Sequence, residues 1–132
     1  MRKLATALCA ILLLSGTAAA FSASASKWQG YLLDRQCADS VREDADPKVF
    51  IQHHTKDCAL MPNCRAKGYS VYVASTDNDK WFDLDNKGND LAVKLLKASK
   101  RRSGFYVEVT GTRQDKVLKT QSIKEIEEPK VQ

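Results

Sequence analysis

Five segments of the chain carry the apolar patterns of β-strands. Alternation of apolar and polar residues with a period of two, or a short aromatic and aliphatic run, is typical of strands with a buried face. A polar turn at residues 75–79 separates the second segment from the third, so these two are predicted to form an antiparallel hairpin. The predicted strands cover residues 28–33, 69–74, 80–85, 105–110 and 116–126.

One longer helix is predicted between the third and fourth strands. Asn89 or Asp90 can cap its start, and Gly104 is the predicted stop. The helix then covers residues 89–102, and its apolar stripe consists of Leu91, Leu95 and Ala98. The polar connection from residue 35 to residue 67 is too long to lack structure, so short helices are expected near residues 48–54 and 63–66.

This order of elements predicts a mainly β fold: a small five-stranded OB-like barrel with one helix between strands 3 and 4. Closure of the strands would remove the free sheet edges. The alternative is an open sheet with the helix packed across one face. The predicted domain spans residues 28–126, with a flexible lead-in at 21–27 and a polar tail at 127–132.

Residues 1–20 have the pattern of a cleaved secretory signal peptide. Arg2 and Lys3 precede an apolar run at residues 4–14, and Ala18 and Ala20 form a small-residue cleavage motif, with Ala23 and Ala25 as a second choice. The apolar run is shorter than the roughly 20 residues that span a bilayer. The sequence therefore predicts export to the periplasm or the extracellular space, without a transmembrane segment in the mature chain.

Charge and motifs narrow the classes of function. The formal charge of +5 includes Arg2 and Lys3, so the mature chain would carry only +3, which argues against nucleic acid as a partner. No nucleophile motif, phosphate loop or catalytic triad is present, so we expect a non-enzymatic protein without a cofactor. A monomer that binds an unknown ligand or protein in the cell envelope is the leading expectation.

Three cysteines, Cys37, Cys58 and Cys64, lie in the predicted mature chain. In an exported protein, one disulfide and one leftover thiol are expected. Cys37 follows the first strand and Cys64 precedes the second, at the same end of an OB-like barrel. We therefore predict the pair Cys37 and Cys64 with Cys58 as the free thiol, and the pair Cys37 and Cys58 as the second choice.

The same cysteines also permit a metal or redox site. Together with His53 or His54 they form a Cys3His set, which suits tetrahedral zinc or copper(I). His54 and Cys58 are four residues apart, so one helical turn would place them on the same face. The metal site that is the alternative to the disulfide therefore consists of Cys37, His54, Cys58 and Cys64. A redox-active thiol is a further alternative, although no C-x-x-C motif supports a thioredoxin-like role.

A possible ligand face lies on strands 2 and 3. If Phe82 and Leu84 point into the core, Trp81 points outward, and Tyr72 on the neighbouring strand is placed beside it. OB folds commonly bind oligomers on this face. The alternative is an ordinary cross-strand aromatic pair.

Several short motifs resemble a group of small exported bacterial proteins of uncharacterised function. They are Asp34-x-x-Cys37, a histidine at 53 or 54, Cys58, Cys64, a glycine at 68 entering a strand, and Val109-Thr-Gly-Thr112. The resemblance implies an OB-like fold and export, and it lends no activity. The sequence thus predicts an exported binding or accessory module, with a metal-handling or thiol-redox protein as the alternative.

Overall fold

The computed structural model describes residues 23–130, which form five strands and five helices. The strands are β1 Ser26–Asp34, β2 Tyr69–Tyr72, β3 Trp81–Leu84, β4 Tyr106–Gln114 and β5 Val117–Glu125. The helices are α1 Arg35–Val41, α2 Lys48–His53, α3 Lys56–Ala59, α4 Pro62–Lys67 and α5 Asn86–Ala98.

The strands close into a ring in the order β1-β2-β3-β5-β4. All neighbours are antiparallel except β3 and β5, which are parallel. Strand β1 completes the ring because Tyr31 pairs with Tyr72 of β2 and with Tyr106 of β4. Gly30 permits this close approach, since a Cβ at that position would lie 2.1 Å from the carbonyl oxygen of Tyr72.

The inside of the ring holds the larger apolar core, to which every strand contributes. Its fully buried side chains include Leu32, Val71, Phe82, Leu84, Val107, Val109 and Leu118. Helix α5 adds Ala92 and Leu96, neither of which is accessible to solvent. The five predicted strands are confirmed with end shifts of a few residues, and the core lies where their alternation predicted it.

The predicted helical stripe on α5 was wrong by one position. The helix begins at Asn86, where Asp85 caps it by accepting the N–H of Gly88 at 3.0 Å, and it ends at Ala98. Its buried residues are Gly88, Ala92 and Leu96. Because a Cβ on Gly88 would lie 2.4 Å from Oγ1 of Thr120, this glycine lets the helix approach the ring and so determines which face is buried.

The fold is mixed rather than mainly β, because about 34% of the described residues lie in strands and about 33% lie in helices. The connection between β1 and β2 forms four short helices: α2 and α4 lie where short helices were expected, whereas α1 and α3 were not predicted. Side chains from α1 and α2 cover part of the outer surface of the sheet and build a second apolar core. Its buried members are Tyr31, Leu33, Ala38, Val41, Ile51, Tyr72 and Trp81.

The structure bears on the predicted segments at both ends of the chain. The predicted signal peptide at residues 1–20 lies outside the described residues, and the predicted lead-in overlaps β1, which begins at Ser26. The polar tail is anchored, because Glu128 forms an ion pair with Lys48 at 2.8 Å and accepts a hydrogen bond from the Tyr31 hydroxyl. Within residues 23–130, no helix has the length and apolar character needed to cross a membrane.

A polar cluster ties α1 to the sheet. Asp83 of β3 accepts hydrogen bonds from the Arg42 guanidinium at 2.7 Å and from the Ser70 hydroxyl at 2.6 Å. Burial alone would raise the pKa of Asp83, but Ser70 and the two nearby guanidinium groups hold it below its usual value. The carboxylate therefore stabilises the fold in its charged form.

Asp83→Asn is expected to lower the free energy of unfolding by about 1–3 kcal/mol at pH 7, as hydrogen bonds to charged groups are lost. Since the folded pKa lies below the unfolded value of about 3.9, the contribution is complete above that pH and disappears as the pH falls through the folded pKa. Urea unfolding at several pH values measures it, with exposed Asp77→Asn as the control. Equal stability of the two variants at pH 7 would contradict the role of this cluster.

Candidate metal centre

Asp34 and Cys37 are positioned by the junction between β1 and α1. Asp34 is the last residue of β1 and caps α1, with its Oδ1 accepting the N–H of Cys37 at 3.0 Å. Aspartate is a preferred N-cap residue because its oxygen satisfies a free N–H of the first turn. The cap holds the Cys37 backbone in the first turn, close to the Asp34 carboxylate.

His54 and Cys58 come from the junction between α2 and α3. His54 ends α2, and Thr55 caps α3 by accepting the N–H of Cys58 at 3.2 Å. The same segment is held from outside, because the N–H of Lys56 donates to the carbonyl of Arg102 at 2.8 Å. Two capped helix starts therefore bring the two thiols toward each other.

Four ligand-type atoms meet at these junctions, one each from Asp34, Cys37, His54 and Cys58, and all lie within 4.8 Å of one another. The Sγ atoms of Cys37 and Cys58 are 3.8 Å apart. A tetrahedral ion with two metal–sulfur bonds of about 2.3 Å holds its sulfurs about 3.8 Å apart. The spacing of the two thiols therefore matches that of two zinc ligands.

The imidazole and carboxylate of this cluster are buried against each other, and one ring nitrogen of the imidazole has no hydrogen-bond partner. Asp34 is inaccessible to solvent, and His54 is 5% exposed. Nε2 of His54 lies 2.8 Å from Oδ2 of Asp34, the distance of an ion pair, and Nδ1 of His54 has no hydrogen-bond partner. Buried polar groups without partners are rare, and a bound ion is one of the arrangements that satisfies them.

The pKa values in the cluster follow from burial and from its negative charge. Burial alone would raise the pKa of Asp34, but His54 and the N–H of Cys37 hold it below the usual value. Burial, the Asp34 charge and the Cys58 thiol raise the pKa of Cys37. The metal-free Cys37 thiol is therefore protonated, and a metal ion would displace its proton.

Cys64 lies beside this group rather than in it. It belongs to α4 and is 5% exposed. Burial, then the charge of Asp34, a hydrogen bond to Asp34 and the nearby Cys58 thiol, raise its pKa to about 11. The group of converging atoms therefore contains Asp34 rather than Cys64, whereas the predicted set was Cys37, His54, Cys58 and Cys64.

The predicted disulfide between Cys37 and Cys64 is not present. Among the described residues Cys37, Cys58 and Cys64 are all free thiols, so Cys58 is not the single free one. The physical reason lies in the two helix caps, which direct the Cys37 sulfur toward Cys58 of α3. The second-choice pair, Cys37 and Cys58, is the one that the structure brings close.

Tyr72 and Trp81 do not form an open ligand face. Both are 8% exposed, and their ring centres lie 4.9 Å apart. They are register partners across β2 and β3, and the Arg42 guanidinium lies 5.5 Å from the Trp81 ring centre. The pair has the cross-strand packing that was the alternative, with its edges at the wall of a cavity of about 270 Å³.

Asp34 was not predicted as a site residue, although it belongs to the motif Asp34-x-x-Cys37. Its signal is the spacing Asp34-x-x-Cys37, in which a capping carboxylate stands three residues before a cysteine. In a capped helix start, this spacing places both side chains beside the same turn. Of the two candidate histidines, His54 joins the cluster, while His53 is exposed on α2.

One side of the cluster opens onto a surface depression of about 350 Å³. Val49 and Phe50 form part of its wall and are 65% and 41% exposed. Cys37 and Cys58 are partly exposed and line the same depression. Small reagents and ions therefore have a route to the two sulfurs.

The arrangement can hold a transition metal ion, with two sulfurs, one ring nitrogen and one carboxylate oxygen as ligands. These three ligand types are all found around zinc in proteins. Comparison with protein-family models, with curated proteins and with solved structures finds no match to this chain.

Proposed function

We propose that the protein is an exported, OB-like module that binds one transition metal ion through Asp34, Cys37, His54 and Cys58. The convergence of these four ligand atoms within 4.8 Å carries the proposal. Export rests on the signal-peptide pattern of residues 1–20. The OB-like assignment is supported by ring closure and by a helix between β3 and β4.

Zinc is the ion that the ligand set favours. Zinc accepts thiolate, imidazole and carboxylate together in tetrahedral geometry. Copper(I) prefers the softer ligands, so it would use Cys37, Cys58 and His54 and leave the Asp34 carboxylate out. Zinc is therefore the proposed ion, and copper(I) is the alternative that the measurement must separate.

Metal binding rather than catalysis follows from the number of ligands. Four protein ligands fill a tetrahedral ion, whereas catalytic zinc keeps one position for water or substrate. The ligands also come from β1, α1, α2 and α3, so a bound ion would link the helical connection to the sheet. We therefore assign the metal a binding and stabilising role, without a catalytic one.

The metal site takes the place of the unknown ligand in the binding-module hypothesis. That hypothesis offered the strand 2–3 face at Tyr72 and Trp81 as a possible ligand face, and both side chains are 8% exposed. The partly exposed cluster at Cys37 and Cys58 is a more accessible binding position.

Equilibrium dialysis of reduced protein against zinc tests the proposal. We expect the protein, expressed from its full-length sequence and purified, to bind one equivalent of zinc. The Cys37→Ser variant should lose that zinc. Cys64→Ser is the matched control and should keep one equivalent, because its sulfur lies outside the four-ligand group. No bound zinc in the parent protein would refute the proposal, and loss in Cys64→Ser would reinstate the Cys3His set.

A further inference from the structure

We infer that Cys37 and Cys58 form a reversible disulfide by exchange with small organic disulfides of the glutathione class, and that this bond and the metal ion exclude each other. The pairing stands on the geometry of the thiols, and the exclusion rests on the proposed metal site. The inference assigns a modification site and a redox dependence to the same cluster.

The two sulfurs are already close to bonding distance. Their separation is 3.8 Å, and a disulfide bond is about 2.05 Å long, so they must approach by about 1.8 Å. The residues that carry them belong to the first turns of two short helices, α1 and α3, where a small rotation of each side chain changes the sulfur position.

Access distinguishes this pair from Cys64. Cys37 and Cys58 both line the depression that includes Val49 and Phe50, so an external disulfide can reach them. Cys64 is 5% exposed and does not line that depression. Both accessible thiols, Cys37 and Cys58, are therefore expected to take part in the exchange, and Cys64 is expected to stay reduced.

The exchange balances with the small disulfide as the oxidant. A thiolate of one cysteine attacks a sulfur of the small disulfide, which forms a mixed disulfide and releases one small thiolate. The thiolate of the second cysteine then attacks the protein-bound sulfur, which forms the Cys37–Cys58 bond and releases the second small thiolate. The two protons lost by the cysteines go to the released thiolates, and the two electrons reduce the small disulfide to two thiols.

The disulfide removes two of the four proposed metal ligands, because the thiolate is the form that ligates a metal. A bound ion in turn occupies both thiolates and withholds them from the exchange. Zinc at 100 times its dissociation constant leaves about 1% of the site free, so the exchange should slow by about 100-fold. The cluster would then hold metal when reduced and release it when oxidised.

Disulfide mapping of metal-free protein after incubation with oxidised glutathione tests the pairing. Trypsin leaves Cys58 and Cys64 in one peptide, residues 57–65, so additional cleavage after Leu60 by chymotrypsin is needed to separate them. We expect a Cys37–Cys58 bridge and an alkylated Cys64, and the same bridge in Cys64→Ser. Zinc at 100 times its dissociation constant should slow the bridge formation by about 100-fold in both proteins.

A bridge that includes Cys64, or glutathione adducts without an internal bridge, would overturn the pairing. Bridge formation at an unchanged rate with zinc measurably bound would overturn the exclusion. A reduced protein that binds no zinc would refute the proposed function, and the mapping of the metal-free protein would still decide the pairing.

Discussion

His54→Asn is expected to lower the affinity for zinc by at least about 100-fold. Substitution of a residue that only supports a metal ligand usually costs about 10–100-fold. The substitution removes the only imidazole of the four-ligand group, and an asparagine oxygen is a poor zinc ligand beside two thiolates. The neighbouring His53 offers a matched control. It is exposed on α2, and its Nδ1 contacts the carbonyl oxygen of Val49 within the same helix at 2.8 Å.

Competition of each protein with a chromogenic zinc chelator measures the two affinities. His53→Asn should match the parent protein. Because His54 is buried, the thermal unfolding of each metal-free variant is recorded beside the affinity, and Asp34→Asn serves as a second variant. Asparagine keeps the N-cap of α1 but removes the charge and the carboxylate ligand, so this variant should bind zinc more weakly than the parent protein without loss of the cap. Equal affinities of the two histidine variants would contradict the site.

Leu96→Ala is expected to lower the free energy of unfolding by about 2–5 kcal/mol, the usual cost of removing a large apolar side chain from a core. Leu96 is inaccessible to solvent and packs among the strands inside the ring. Its neighbour Leu95 is only partly buried at the edge of that core. Leu95→Ala should therefore cost clearly less, although the sequence pattern alone favoured Leu95 as the buried position.

Urea unfolding of both variants, followed by circular dichroism, measures the difference. The pair is well matched because the two leucines are adjacent on α5 and the change is chemically identical. An equal or larger loss in Leu95→Ala would mean that the helix presents the predicted stripe of Leu91, Leu95 and Ala98 to the sheet. The packing of Gly88 against Thr120 would then be wrong as well.

The strands were predictable because their patterns are local. In β3, Phe82 and Leu84 point into the ring while Trp81 points out, as alternation requires. The sequence did not predict which residues of α5 are buried, because the buried face depends on the contact of Gly88 with a strand that is distant in the sequence. No pattern within the helix itself reports that contact.

The sequence predicted that cysteines and a histidine form a cluster, but it did not predict all of the residues in that cluster. Cysteine and histidine at unusual spacings indicated a cluster, and three of its four proposed ligands came from that signal. Asp34 was missed because its capping role and its burial arise only when the strand meets α1 and His54. The covered state of Tyr72 and Trp81 was missed for a similar reason, since α1 and α2 fold back over that face from a connection with no strong apolar pattern.

X-ray absorption spectroscopy at the zinc edge of the loaded, reduced protein tests the central claim most directly. Two sulfurs at about 2.3 Å and two nitrogen or oxygen atoms at about 2.0–2.2 Å are expected from Cys37, Cys58, His54 and Asp34. The same shell should persist in Cys64→Ser. A shell of three sulfurs in the parent protein, or one with no sulfur, would contradict the proposed site.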